Sequence, residues 1–302
     1  MKASNPSLAH PTEDVSVSRS SIWMELFKAR LSGLVVLTTW GGVYVGYQGA
    51  MDYTLMFNVV TGTALLAAGA AALNQLLERD HDARMQRTEN RPLPAKHLTP
   101  TRVLWVGSAV SLAGFAQLWL WVNVLTAILG LLTWVSYLFV YTPLKRITTL
   151  NTAIGAIPGA LPPLMGWTAA RGHLSIEGWS LFAILFFWQL PHFLAIAWMY
   201  RDEYRQAGFA MLPVFDVDGR KTAQQAFSHT LGLLPLSLGP FALRLAGPFY
   251  LVGALILSLG FLFFAYRFGR RLDRHSARSL FFASIIYLPL LLFMMVIDKT
   301  KL

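Results

Sequence analysis

Nine stretches of the chain run for about 20 residues with few or no charged positions, the length a helix needs to cross the hydrocarbon of a bilayer. Their approximate limits are 31–50, 55–77, 101–119, 121–141, 151–169, 177–199, 228–246, 248–267 and 279–297. Short segments between them gather nearly all of the charge. The pattern predicts an all-α membrane protein of about nine transmembrane helices packed around a central cavity. One polytopic domain takes up residues 26–302, behind a polar tail at 1–25. The fifth stretch carries Pro158, Pro162 and Pro163 and reads as a kinked helix beside a cavity. Pro191 bends the sixth by removing a backbone donor.

Composition agrees. Of 302 residues, 55% are hydrophobic and 13% charged, with a mean hydropathy of +0.49; a soluble chain carries about a quarter charged residues. Cysteine is absent, which excludes disulfides and thiolate metal sites. The net charge of +10 would suit nucleic acid, but the bases sit in short loops between apolar runs, so no nucleic-acid partner is expected. With the N-terminus inside, all of the 25 Lys and Arg residues except Arg171, Arg244, Lys299 and Lys301 fall on the inner side. That bias predicts a multi-pass protein with a cytoplasmic N-terminus and a periplasmic C-terminus. The tail lacks the apolar core of a secretory signal and is expected to be disordered. The acids collect on the inner side too, except Asp52, Glu177 and Asp298. Orientation does not need them there. Chemistry at the inner surface explains them, and so do salt-bridged loops.

The densest segment follows the second apolar run. Asn74, Glu78 and Asp82 are spaced i, i+4, i+8, which puts three oxygen-bearing side chains on one helix face. Such a set can seat Mg²⁺, which favours carboxylates plus a substrate phosphate. Arg84, Arg87 and Arg91 follow at once, with guanidinium groups suited to phosphate oxygens. A second cluster, Arg201-Asp202-Glu203-Tyr204-Arg205, closes the sixth run, and Trp188, Gln189 and His192 stand just before it at the Pro191 bend. Intramembrane His and Gln are functional candidates by default. Tyr141, Lys145 and Arg146 close the fourth run and serve either as topology anchors or as phosphate ligands. The last two runs carry no candidate chemistry, and His81 reads as a solvated residue at a span end.

Taken together, Asn74-x3-Glu78-Arg-Asp80-x-Asp82-x2-Met85-x-Arg87-Thr88-x2-Arg91-Pro92 resembles the first signature of the UbiA-type intramembrane prenyltransferases. Trp188-Gln189-x-Pro191-His192-Phe193, Tyr204-x3-Gly208, Met211-Leu212-Pro213 and Tyr141-Thr142-x2-Lys145-Arg146 resemble the branch of that family that farnesylates haem. The likeness covers nearly the whole chain. It implies a UbiA-like fold in the bacterial inner membrane, with membrane lipid around it. It implies transfer of a farnesyl group from farnesyl diphosphate to a vinyl group of haem b, with addition of water, to give haem O and diphosphate. Contacts with other haem-pathway membrane enzymes are implied as well. The resemblance places Mg²⁺ on Asn74, Glu78, Asp82 and Asp202, and Arg84, Arg87, Lys145 and Arg146 near the diphosphate. Tyr141, Trp188 and Tyr204 are candidates to face cationic intermediates. His192 either touches haem iron or positions the water. Prenylation of an aromatic quinone precursor is the rival chemistry and would call for an Asp-rich second cluster. A transporter is the rival of another class.

Overall fold

A computed structural model describes residues 18–300, apart from the side chains of Arg30 and Leu31. The helices are α1 (Arg19–Leu26), α2 (Ala29–Gly46), α3 (Tyr53–Asp82), α4 (Pro100–Trp121), α5 (Val124–Val135), a π-helical stretch (Ser136–Tyr141), α6 (Thr142–Leu144), α7 (Asn151–Arg171), α8 (Ile176–Met199), α9 (Arg201–Gln206), α10 (Leu212–Phe215), α11 (Arg220–Ala242), α12 (Pro248–Arg271) and α13 (Arg274–Ile297). Among the described residues the only β pairing is an isolated bridge between Ala246 and Lys299.

Six helical segments are long and apolar enough to cross a membrane: Tyr53–Asp82, Pro100–Trp121, Val124–Leu144, Ile176–Met199, Pro248–Arg271 and Arg274–Ile297. Three of the nine expected stretches fall outside that group. The first lies on a shorter apolar helix, Ser32–Gly46. The fifth and seventh lie on α7 and α11, where Pro, Gly and hydroxyl residues dilute the apolar content. Residues 1–17 of the expected tail lie outside the described residues. Its end forms α1, which buries Leu26 against Ala72, Leu93, Leu98 and Val103. Gln75 Nε2 ties α1 down by donating to the Glu25 and Leu26 carbonyls.

Two of the three acids that stood apart from the rest are helix caps. Asp52 Oδ1 accepts from the N–H groups of Thr54 and Leu55 at the start of α3, and Asp298 Oδ2 accepts from Tyr250 N at the start of α12. A carboxylate at a helix N-terminus satisfies orphan donors and meets the positive end of the macrodipole. The turn between α4 and α5 is closed the same way, by Asn123 Oδ1 accepting from Thr126 N.

Small residues set the spacing of the bundle. A Cβ on Gly69 of α3 would collide with the Ser111 side chain and the Gly107 carbonyl of α4. Close backbone approach of this kind drives helix association where lipid removes the hydrophobic term. One core joins α8, α11, α12 and α13 through Leu233, Tyr250, Phe261, Tyr287 and Leu288. A second joins α3, α4, α5 and α7 through Leu66, Leu118, Ala127 and Leu164. Large apolar side chains such as Trp105, Leu112, Ile256, Phe263 and Ile286 stay exposed on outward faces, as a lipid-facing surface requires. Between the two cores lies the cavity.

Candidate active site

The cavity holds about 350 Å³ and is walled by α2, α3, α5, the π stretch, α7, α8, α9 and α13. That volume is within the range of small-molecule sites. One end is charged, with Lys28, Glu78, Asp82, Arg87, Arg91 and Lys145 on its wall. The remainder is apolar or aromatic: Leu66, Ala70, Trp134, Met165, Leu185 and Phe193 among others. Lining residues on α3 run from Thr63 to Asp82, about 28 Å along the helix axis at 1.5 Å per residue. The cavity is therefore a lane along a helix with its polar groups at one end.

The expected face of α3 exists. Asn74, Glu78 and Asp82 are 0%, 3% and 2% exposed. Each meets one cation from a different element. Lys28 Nζ donates to Asn74 Oδ1 at 2.8 Å, Lys145 Nζ to Glu78 Oε1 at 2.8 Å, and Arg91 Nη1 to Asp82 Oδ2 at 2.8 Å. A buried carboxylate survives only with such a partner. Asn74 also donates from Nδ2 to Thr142 Oγ1. Lys28 precedes α2 in a left-handed conformation, φ 46°, and this kink between α1 and α2 turns it inward. Burial, joined by the charges of Arg91 and Lys145, pushes the Lys28 ammonium down to about 7. Burial would lower Lys145 as well, but the Glu78 carboxylate overrides it and holds that ammonium above its ordinary value.

The π stretch carries Tyr137 and Tyr141, stacked 5.8 Å apart, onto the same wall. Lys145 Nζ sits 4.6 Å from the Tyr141 ring centre. A π turn shifts side chains off the regular α register and recurs at functional sites. Glycine makes room opposite: a Cβ on Gly155 would strike the Tyr141 ring, and one on Gly159 would strike Gln189 Oε1.

The second cluster divides. Tyr204 lines the cavity and accepts from Arg87 Nη2 at 3.0 Å. The Arg87 guanidinium lies over Tyr200 and Tyr204, and its backbone N donates to Glu203 Oε2 at 3.2 Å. Asp202, expected beside the metal, has a side chain 73% exposed and pairs with Arg205 at 3.7 Å. Residues two apart on a helix point about 200° apart, so turning Tyr204 inward turns Asp202 outward. Arg84 is exposed on the surface. Arg146 is exposed too and donates to the Leu77 carbonyl. Neither Arg84, Arg146, Asn74 nor Asp202 is on the cavity wall; Arg87, Arg91, Lys145, Tyr141, Trp188, Gln189 and His192 are. His81 is half-buried, not solvated, with Nδ1 at 2.8 Å from the Ala207 carbonyl.

Deeper in, Trp188 Nε1 donates to the Ser284 carbonyl, and His192 Nδ1 lies 2.7 Å from Ser284 Oγ. Ser284 and the wall residue Leu288 belong to α13, a helix from which no chemistry was expected. Lys28, Tyr137 and Ser284 are the residues that sequence reasoning missed. Only Lys28 left a signal, as one of two bases, with Arg30, just before an apolar run.

Residues 34–286 match the UbiA prenyltransferase family. The chain belongs to that family. Its curated relatives include the protoheme IX farnesyltransferase of Solibacter usitatus, 46% identical over 286 residues that cover 92% of this chain and 98% of the relative. That of Koribacter versatilis is 44% identical, over 96% and 98%. A chain from work on digeranylgeranylglyceryl phosphate synthase superposes with a TM-score of 0.79 at 15% identity, over 94% of this chain and 99% of its own. A UbiA homologue from Archaeoglobus fulgidus, solved with DMAPP and Mg²⁺, gives 0.68 at 15%, over 91% and 99%. These structures share the UbiA fold. Membership in a prenyltransferase family sets the transporter reading aside.

Proposed function

We propose that this UbiA prenyltransferase farnesylates haem b at a vinyl group to form haem O. The observation that carries the reading is the joint one: a buried Asn74–Glu78–Asp82 face matched by three cations, at the end of an apolar and aromatic lane, in a chain 46% identical to a protoheme IX farnesyltransferase. In the reaction the C1–O bond of farnesyl diphosphate breaks and its electron pair leaves with the diphosphate. The vinyl π pair forms the new C–C bond to the allylic carbon. Water adds to the resulting cation on the porphyrin side chain and loses a proton.

Each part of the site has work in this scheme. Lys28, Arg87, Arg91 and Lys145 attract and hold the diphosphate, since guanidinium and ammonium groups neutralise the charge that develops on the leaving oxygens. Glu78 and Asp82 present two carboxylates to the cavity from successive turns of one helix, the hard oxygen donors that Mg²⁺ takes, while Asn74, off the cavity wall, holds Lys28 with its amide oxygen. Bound there, the ion would supply Lewis-acid stabilisation of the leaving group. Asp202 points into solvent, off the cavity wall, and takes no ligand role in this arrangement. Tyr137, Tyr141 and Trp188 line the lane, where aromatic faces stabilise a passing cation, and the apolar wall keeps water from it. We further propose nine spans in the bacterial inner membrane, with the charged end cytoplasmic, on the bias of Lys and Arg.

The test is expression in a membrane that holds haem b but no haem O. Extracted haem gains the mass of a farnesyl group plus water if the reading holds. An unchanged haem pool beside correctly inserted protein and supplied farnesyl diphosphate overturns it. A prenylated aromatic product instead would select the rival chemistry.

A further inference from the structure

His192 sits in a setting that its own helix does not explain. Its ring is stacked between Trp188, with centres 5.0 Å apart and planes at 21°, and Phe281 of α13, at 5.0 Å and 29°. Both faces are covered, so the ring can act only through its edge. One edge is occupied: Nδ1 lies 2.7 Å from Ser284 Oγ.

Hydrogen accounting fixes the tautomer. Ser284 Oγ lies 2.5 Å from the Phe281 carbonyl oxygen, a separation two oxygens hold only with a proton between them. A serine hydroxyl has one hydrogen and two lone pairs. That hydrogen is spent on Phe281, so toward His192 the oxygen can only accept. The proton on the neutral imidazole is therefore on Nδ1, and Nε2 keeps its lone pair. Among the described residues no donor reaches Nε2. Gln189, one turn earlier, commits its amide hydrogens to the carbonyls of Leu185 and Ala156. His192 lines the cavity.

We infer that His192 is the axial ligand to the iron of the haem substrate, and that Ser284 is the positioning residue that fixes the ring and its tautomer for that contact. The inference rests on the haem reading above and deepens it. A metal-binding histidine characteristically donates its other ring N–H to an acceptor that sets tautomer and orientation, and Ser284 Oγ is that acceptor. Clamping from both faces leaves the in-plane lone pair as the one group the ring offers. Phe193 and Ile196, on the same stretch of wall, are apolar. They suit a flat macrocycle better than a held water, which needs two or more polar partners. On α8, His192 lies seven residues before Met199, about 10 Å in from the charged end at 1.5 Å per residue. Iron held there leaves the porphyrin rim facing the end where the diphosphate is released.

The experiment titrates ferric haem b into the purified full-length protein in detergent, without farnesyl diphosphate, and follows the Soret band and the iron spin state. The wild type binds haem with a histidine-ligand spectrum. His192→Gly loses that spectrum, and added imidazole restores it. Ser284→Ala weakens haem binding about 10- to 100-fold, the usual cost of losing such an outer partner. Ser284→Thr, which keeps a hydroxyl, stays near wild type and shows that the loss is not one of folding. A wild-type spectrum without a histidine ligand, an unchanged spectrum in His192→Gly, or unchanged affinity in Ser284→Ala overturns the inference. Intact coordination in His192→Gly with lost haem O formation would make the histidine a base instead. Histidine-ligated haem that is never farnesylated would leave the coordination standing and overturn the reaction.

Discussion

Two charge clusters close two long helices at the same end of the bundle, and in sequence they look alike. Asn74 to Arg91 ends α3; Arg201 to Arg205 follows α8. The first turns its acids inward, where Glu78 and Asp82 are 3% and 2% exposed, Glu78 held by Lys145 from 67 positions away and Asp82 by Arg91 of the loop after α3. The second leaves Asp202 in solvent beside Arg205, its near neighbour in sequence. Local pairing is weak because water competes for both partners. A buried pair is costly to break, because the charge left behind has no water to turn to. Charge density along the chain thus marks where chemistry can be, and burial of the pairs marks where the site is.

The sharpest way to break the contrast is through the Glu78–Lys145 pair. Glu78→Gln leaves the Lys145 ammonium buried without a counter-charge, and removing one member of such a pair costs about 3–5 kcal/mol. Thermal unfolding in detergent measures it. Glu78→Gln with Lys145→Met recovers most of the loss, because no charge is then stranded. If the single variant unfolds like wild type, the pair is not the buried one described.

Asp82→Asn comes next. It keeps the shape and removes the charge that faces Arg91 and, in the proposed reaction, the ion. Farnesyl transfer should fall by at least about 100-fold, the scale of losing one electrostatic element in a preorganised site. The protein still inserts and still binds haem b. Extracted haem, read by mass, gives the result; normal haem O formation would remove the ligand role.

Tyr204→Phe probes the join between the clusters. Its hydroxyl accepts from Arg87, at a rim where Arg87 is exposed. Losing that bond frees Arg87 without stranding it, for about 1 kcal/mol. The expected effect is a roughly fivefold rise in the KM for farnesyl diphosphate at nearly constant kcat. A fall in kcat alone would put the hydroxyl in the chemistry.

Much of this was legible from the chain, and the limits have physical causes. The i, i+4, i+8 face of Asn74, Glu78 and Asp82 follows from helical period alone, so it could be read without a fold. The partners could not. Lys28 reaches Asn74 across 46 positions and Ser284 reaches His192 across 92; nothing in a local pattern records such pairings. Tyr137 joins the wall because the helix loosens to π geometry over Ser136–Tyr141, an irregularity that apolar periodicity does not encode. The resemblance puts Asp202 on the metal, and the local pattern offers no check on it. A helix of six residues with no buried member has no apolar stripe to say which side faces in.

That last point makes Asp202→Asn the smallest and most discriminating change. In the ligand-free protein it removes an exposed carboxylate whose partners, Arg201 and Arg205, are themselves 41% and 58% exposed. Stability should therefore move by less than about 1 kcal/mol. Activity carries the second half of the argument. The loop after α9 is tethered through Ala210 N to the Lys145 carbonyl and through the Ala210 carbonyl to Asn151 Nδ2, and residues two apart on a helix point about 200° apart, so Tyr204 and Asp202 cannot both face the cavity while the helix keeps its register. A loss well below that of Asp82→Asn keeps the two clusters distinct in turnover as they are in the fold. A loss of equal size, at unchanged stability, means that α9 rotates in turnover, exchanges Tyr204 for Asp202 at the rim, and makes one site of the two clusters.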